Sequence, residues 1–266
     1  PEWNCDVPIY LANHHRGFMH EWLRYQAFYL MEYWRMKHGE DMLGRVWRES
    51  ESHEDPITAY KRIAGLSQDQ FNAEVWESAC HDITWDYPLG GYLRRIVDRQ
   101  SEADRQTWYT HKTRLIAENG YYRSYPDTVT ADHGTEQNIA FTPHDYGYNA
   151  FQLSVPEGGT TVTAEFEGIT GDSRYRTVGD SKAGWRFGFL GVQGSWTPVY
   201  GDMGEATGTA PQASVSFTVP GGGLKQLWFV VSGAPTRHEP HVWDDDVGND
   251  EEYPYRVKFV NTEVKN

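Results

Sequence analysis

The apolar period of this chain changes once, near residue 118, and no other feature constrains its fold as strongly. Upstream, apolar residues recur with the 3.6-residue spacing of amphipathic helices. Downstream they alternate every second residue in short runs separated by glycine turns. A chain that switches period once builds helices first and strands second. The expected fold is therefore α+β: an α-helical subdomain over residues 1–118, followed by an antiparallel β-sandwich of jelly-roll type over residues 119–266. With 266 residues, 38% of them hydrophobic, the chain has material for real cores in both parts.

The helical half carries its own punctuation. Phe18 to His38 holds no Gly or Pro, and Trp22, Leu23, Phe28, Leu30, Met31 and Trp34 suit one long buried helix stopped by Gly39. Asp55-Pro56 reads as a cap followed by proline in the first helical turn, with Ile57, Tyr60 and Ile63 at helical spacing and Gly65 as the stop. Ser67-Gln68-Asp69-Gln70 is a capping box, so the next helix should turn Phe71, Val75, Trp76 and Ala79 inward. A further helix is expected from Pro88 to about Arg99, burying Tyr92, Leu93 and Ile96.

In the second half, Val162, Ala164 and Phe166 point one way and Thr163 and Glu165 the other. The same alternation recurs at Trp185–Phe189, Val215–Val219 and Tyr255–Phe259, whereas Leu227–Val231 is apolar throughout and fits a central strand covered on both faces. With Phe151–Val155, six or more strands are expected, turning at Gly158-Gly159 and Gly221-Gly222-Gly223.

A formal charge of −14, negative in both halves, disfavours nucleic acid, whose phosphates require a clustered basic footprint. No run is long and apolar enough for a membrane span. The chain opens at Pro1 without an initiator methionine. Cys5 and Cys80 allow one disulfide, which would suit an oxidising compartment, or two unlinked buried thiols. The 11 Trp, 17 Tyr and 11 Phe are enough to fill the cores and to line a groove as well.

Two clusters could carry chemistry. His14, His15, His20 and Glu21 form the densest group of imidazole and carboxylate, but HExxH is absent and the five-residue spacing of His15 and His20 is wrong for one helical face. These four residues are read as substrate-cleft candidates, with neutral imidazole able to hydrogen-bond an oxyanion. The second cluster runs through His238, His241, Asp244, Asp245, Asp246, Asn249, Asp250, Glu251 and Glu252. Asp244, Asp245, Asp246 and Asp250 are candidate oxygen ligands for Ca²⁺, although the spacing does not match an EF-hand, and a solvated acidic loop is the alternative. Trp196, Trp228 and Trp243 are candidate platforms for a glycan. No Ser/His/Asp order, P-loop or GxGxxG is present, and no glycosidase dyad is assigned.

Several segments carry a resemblance: Tyr10-Leu11-Ala12-Asn13, Glu54–Arg62 with Leu66-Ser67-Gln68, Phe71-Asn72, Thr84-Trp85-Asp86, Tyr146-Gly147-Tyr148-Asn149, Leu227–Val231 and Tyr253–Phe259. Together they resemble a family of uncharacterised secreted bacterial proteins, some labelled avirulence-like or domain-of-unknown-function proteins. The resemblance spans nearly the whole chain. Fuller members have an upstream segment similar to a zinc metallopeptidase, with an HExxH helix and a glutamate ligand. This chain resembles the part downstream of it, so no zinc ligand carries over to a residue here.

The resemblance implies a secreted or periplasmic protein and a hydrolase context. Zn²⁺ would be bound only together with the upstream segment, and this chain alone would be inactive. The expected function is the C-terminal portion of a secreted zinc-metallopeptidase-like protein, acting on a polypeptide or glycan and associated with an upstream catalytic segment. The alternatives are a secreted carbohydrate- or protein-binding module without catalytic activity, and a scaffold whose helical face meets another chain.

Overall fold

The computed structural model describes residues 6–23, 26, 28–127, 139–209, 211–241, 243–244 and 246–265. Among the described residues seven α-helices come first: α1 (Asp6–Asn13), α2 (Phe28–His38), α3 (Met42–Glu49), α4 (Pro56–Ala64), α5 (Gln68–Thr84), α6 (Gly90–Asp98) and α7 (Glu102–Trp108). Nine strands follow: β1 (Leu115–Glu118), β2 (Tyr121–Ser124), β3 (Tyr148–Leu153), β4 (Thr161–Gly168), β5 (Gly184–Gln193), β6 (Thr197–Thr207), β7 (Gln212–Thr218), β8 (Gln226–Gly233) and β9 (Tyr255–Val260). The class is α+β.

The strands form two antiparallel sheets, ordered β1-β2-β9-β4-β7 and β3-β8-β5-β6. Val162, Phe166 and Phe217 of the first share one buried cluster with Phe187, Leu227 and Phe229 of the second. Phe166 stacks on Phe187 with ring centroids 4.0 Å apart. The other face of the second sheet is covered by α5: Trp76, Ala79 and Ile83 pack with Leu190, Trp228 and Val230, and Trp76 Nε1 donates to the Val230 carbonyl at 3.2 Å. A β-carbon on Gly188 would come within 2.7 Å of the Trp76 ring, so only glycine lets helix and sheet meet there.

Local signals held where the chain punctuates itself. Asp55 accepts from the Ile57 and Thr58 amides, Gly65 is left-handed at φ 72°, and Ser67 and Gln70 close the capping box. Val162, Ala164 and Phe166 are buried with Thr161 and Glu165 exposed, and Leu227–Val231 lies in β8 between β3 and β5, covered on both faces.

Other expectations are corrected. Trp185–Phe189 does not alternate; every residue is buried, because α5 covers the face of β5 that would otherwise meet solvent. The single helix from Phe18 breaks into a 3-10 turn at Glu21–Leu23 and a helix that starts at Phe28. His20 Nδ1 accepts the Trp22 amide at 3.1 Å, diverting a backbone donor from helical pairing. Tyr92 is exposed on α6, while Leu93 and Ile96 are buried. Residues 115–118 already belong to the five-stranded sheet, and the change of texture falls at the left-handed Asn119-Gly120 turn of the β1–β2 hairpin. Cys80 is buried in α5; Cys5, its expected partner, lies outside the described residues.

Candidate functional site

The loop after α1 and the segment leading into β3 are fastened by their backbones. The His144 amide donates to the His15 carbonyl and the Tyr148 amide to the His14 carbonyl, both at 2.8 Å. Glycine makes this approach feasible: a β-carbon at Gly147 would stand 1.9 Å from the His15 carbonyl oxygen, and one at Gly17 would stand 2.2 Å from that of Asp145. The clasp sets His15, Arg16 and His20 against His144. The stretch before β9 supplies Asp250 and Glu252, and the end of the β2 segment supplies Asp127. The Glu252 carboxylate accepts the amides of Asp127 and Arg176 at 2.7 Å each, tying these stretches together.

The centre of the cluster is His20, His144 and Asp250, all buried. Among the described residues, one ligand atom from each lies within 4.8 Å of the others. His144 Nε2 donates to Asp127 Oδ2 at 3.2 Å, which leaves the lone pair of Nδ1 directed at Asp250 Oδ2, 3.6 Å away. His20 Nε2 is 3.1 Å from the same oxygen. Neither His144 Nδ1 nor Asp250 Oδ2 has a hydrogen-bond partner, so these are close contacts between polar atoms that are not hydrogen bonds. Toward solvent, His241 stacks on His20 and its Nε2 sits 2.8 Å from Glu21 Oε2. A cleft of about 320 Å³, lined by Asp145, Lys182, Glu239, His241 and Asp250 among others, opens onto this edge.

The electrostatics are unbalanced. Burial pushes His15 down to about 3 and His144 down to about 4, so both rings are neutral at pH 7. Burial alone would raise the Asp127 carboxyl, but the imidazoles of His144 and His15 and the Arg16 charge hold it below the usual carboxylate range. Arg16 and Arg176 are the guanidiniums beside Asp127, at 3.4 and 3.7 Å. They face the carboxylates of Glu21, Asp127, Asp250 and Glu252. The excess of buried negative charge suits a divalent cation, and two imidazoles with one carboxylate suit zinc or a similar borderline metal. Ligands of a tetrahedral zinc stand roughly 3.3 Å apart, close to the separations seen between Asp250 Oδ2 and the two imidazoles. Asp127 behind His144 is the carboxylate–histidine pairing that orients a metal-bound imidazole.

A second buried polar centre lies near α5. Asp82 accepts from Tyr10 at 2.6 Å, from Tyr148 at 3.0 Å and from Tyr87, and His111 Nε2 lies 2.8 Å from the Tyr148 hydroxyl. Burial pushes the Asp82 carboxyl up to about 7 despite these three donors, and pushes His111 down to about 3.

The structure thus divides the first sequence cluster. His15, His20 and Glu21 enter the histidine–carboxylate centre, whereas His14 turns to the second one, its Nδ1 on the Leu11 carbonyl and its ring on His111 and Tyr148. The acidic loop divides too. Asp250 is buried at the centre; Asp244 and Asp246 are exposed and accept amides of their own loop; Asp245 lies outside the described residues. Trp243 is exposed and Trp196 partly so. Trp228, expected to offer a face to solvent, is 3% exposed, because it sits where the second sheet meets the helices. Sequence reasoning missed His144, Asp127, Arg16 and Arg176. Their contacts span the chain from residue 15 to residue 252, so no local spacing could reveal them; the one local hint is the pair of glycines beside the clasp.

No curated protein matches the chain. A family model described as a family of unknown function, DUF6055, matches residues 1–266. The chain therefore belongs to the DUF6055 family.

Proposed function

We propose that this chain carries a zinc-type metal centre on His20, His144 and Asp250, and that the centre serves hydrolysis of a polypeptide. One observation carries the reading: a buried imidazole nitrogen and a buried carboxylate oxygen, both unpartnered, face each other at 3.6 Å with a second imidazole beside them. Leaving such atoms unpaired costs about 1–3 kcal/mol each, a cost that a bound cation would remove.

The roles follow from position. His20 and His144 would hold the metal with Asp250, and Asp127 keeps the His144 proton on Nε2. In the chain as it stands His20 Nδ1 accepts the Trp22 amide, so metal at Nε2 would require that bond to be exchanged for an Nδ1–H turned toward Glu21 Oε2, 3.9 Å away. A bound metal would lower the pKa of a water facing the cleft. The His241–Glu21 pair at the rim can take that water's proton; Arg16 Nη1 contacts His20 Nε2 at 3.1 Å, and a metal there would displace it toward the cleft, where it could stabilise developing negative charge.

The peptidase context and a secreted or periplasmic location are supported by the resemblance of the sequence. In this reading the metal ligands belong to this chain, whether or not an upstream segment adds a further site. The shared apolar core of the two sheets supports describing the β half as a sandwich.

The test is metal content by inductively coupled plasma mass spectrometry after zinc loading and dialysis. About one zinc per chain is expected, with none retained by His144→Ala or Asp250→Ala and retention by His241→Ala. A wild-type chain that holds no zinc overturns the metal centre. A zinc-loaded chain that cleaves no unfolded protein substrate overturns the hydrolase reading.

A further inference from the structure

The geometry points to a binding site for a neutral oligosaccharide in the cleft between the ends of α5 and α6, α7, and the end of the second sheet formed by the β5–β6 turn and the start of β8. This cleft, about 530 Å³, shares no lining residue with the cleft and cavity around the histidine–carboxylate centre, and the inference does not rest on the metal reading. Its volume lies in the range of pockets that enclose small-molecule ligands.

The chemistry of the walls selects the ligand. Trp196, in the β5–β6 turn, and Tyr109, after α7, supply aromatic surface. Asp98, Gln106 and Gln226 supply donors and acceptors around it, and the buried Thr84 hydroxyl in the lining has no partner. A sugar ring has an apolar face of C–H groups and a rim of hydroxyls that both donate and accept, which matches an indole flanked by amides and a carboxylate.

The charges leave no strong field for an ion. Glu102 is paired with Arg105 on α7, and Asp98 and Lys225 carry opposite signs. A peptide adding as a strand is disfavoured, because the outer edge of β3 is already occupied. Thr113 Oγ1 donates to the Ala150 carbonyl and accepts its amide, the Ser154 amide bonds the Glu263 carbonyl, and the Lys265 amide bonds the Gln152 carbonyl. Two candidate platforms thereby separate from the third. Trp196 walls the cleft and Trp228 closes its floor, whereas Trp243 is not among its lining residues.

The experiment is calorimetric titration of the chain with cellotetraose, xylotetraose, mannotetraose and chitotetraose, each to millimolar concentration, with a mixture of unfolded peptides as comparison. Saturable binding of one or more of the sugars is expected, weakened about tenfold or more in Trp196→Ala and severalfold in the surface variant Gln106→Ala. Trp243→Ala, at an exposed indole outside the cleft, should bind unchanged. Circular dichroism and the melting temperature of each variant confirm folding, and Gln106→Ala keeps the test decisive if Trp196→Ala does not fold. Binding of none of the four sugars, sugar binding indifferent to these cleft variants, or cleft-dependent binding of peptides alone would overturn the assignment.

Discussion

Asp82 and Asp250 are both buried carboxylates at the junction of helices and sheets, yet their surroundings differ in kind. Asp82 has three phenol hydroxyls aimed at it, so both its oxygens are partnered, although His14 Nε2 nearby is not. Asp250 Oδ2 has one imidazole nitrogen at 3.1 Å and another at 3.6 Å, neither hydrogen-bonded to it, and His144 Nδ1 beside it is unpartnered. A satisfied buried network is structure, since each partner offsets another's desolvation. An unsatisfied one is tolerated where something else completes it. The difference separates a polar keystone from a candidate site without recourse to which residue is more buried.

The largest expected effect tests that distinction directly. Asp82→Ala removes the acceptor shared by three buried hydroxyls, of which Tyr87 keeps the Ser78 carbonyl and Tyr148 keeps His111, and should lower unfolding free energy by about 2 kcal/mol or more, measured by urea denaturation. Asp250→Asn, with no aligned hydrogen bond to lose, should cost under about 1 kcal/mol in metal-free protein while abolishing zinc retention. Equal losses of stability would break the comparison.

Next in size is the carboxylate behind the imidazole. Asp127→Asn frees the His144 ring to turn, and zinc affinity should fall about 10–100-fold with the three ligands intact, read by competition with a chromophoric chelator. Unchanged affinity would mean that Asp127 serves only its neighbouring arginines.

The last effect is a slope, about tenfold in the folding equilibrium for each pH unit. In chelated protein, His15, His111 and His144 have folded pKa values of about 3, 3 and 4, below the ordinary value of 6.5, so the unfolded chain binds more protons between pH 4 and 6.5. Their contribution is fully present above 6.5 and is lost as pH falls, so stability rises with pH across that window. Asp82 opposes them. Its folded pKa of about 7 exceeds the ordinary 3.8, so its contribution is present below about 4 and is lost as pH rises through 7. Asp82→Asn should therefore steepen the rise between pH 4 and 6.5 by about 1.4 kcal/mol per pH unit, measured by urea denaturation at several pH values. A slope identical to that of wild type would show that Asp82 is already ionised in the fold.

The elements most legible in the sequence are those whose cause is local. Asp55-Pro56, the Ser67–Gln70 box and the left-handed Gly65 set the bounds of α4 and α5 through atoms within four residues of each other. The alternation of β4 follows from one face meeting the core. Legibility fails where a distant element changes the local choice. Trp185–Phe189 of β5 carries an alternating pattern yet is wholly buried because α5 lies across it, and residues 18–23 leave the helical path because His20 takes the Trp22 amide.

The candidate site was half visible. Sequence alone singled out His15, His20 and Glu21 in one cluster and His241 and Asp250 in another, by residue type and density. It could not join the clusters or supply His144 and Asp127 between them, because a hydrogen bond is indifferent to how much chain separates its ends.

By itself the sequence determined the order of helices and strands, the caps and turns, and the acidic balance that disfavours nucleic acid, all properties of short range or of simple composition. Only the tertiary structure decided which imidazoles meet which carboxylates. That choice rests on a backbone clasp between residues 14–15 and 144–148, possible because Gly17 and Gly147 have no side chain to hold the two strands of chain apart.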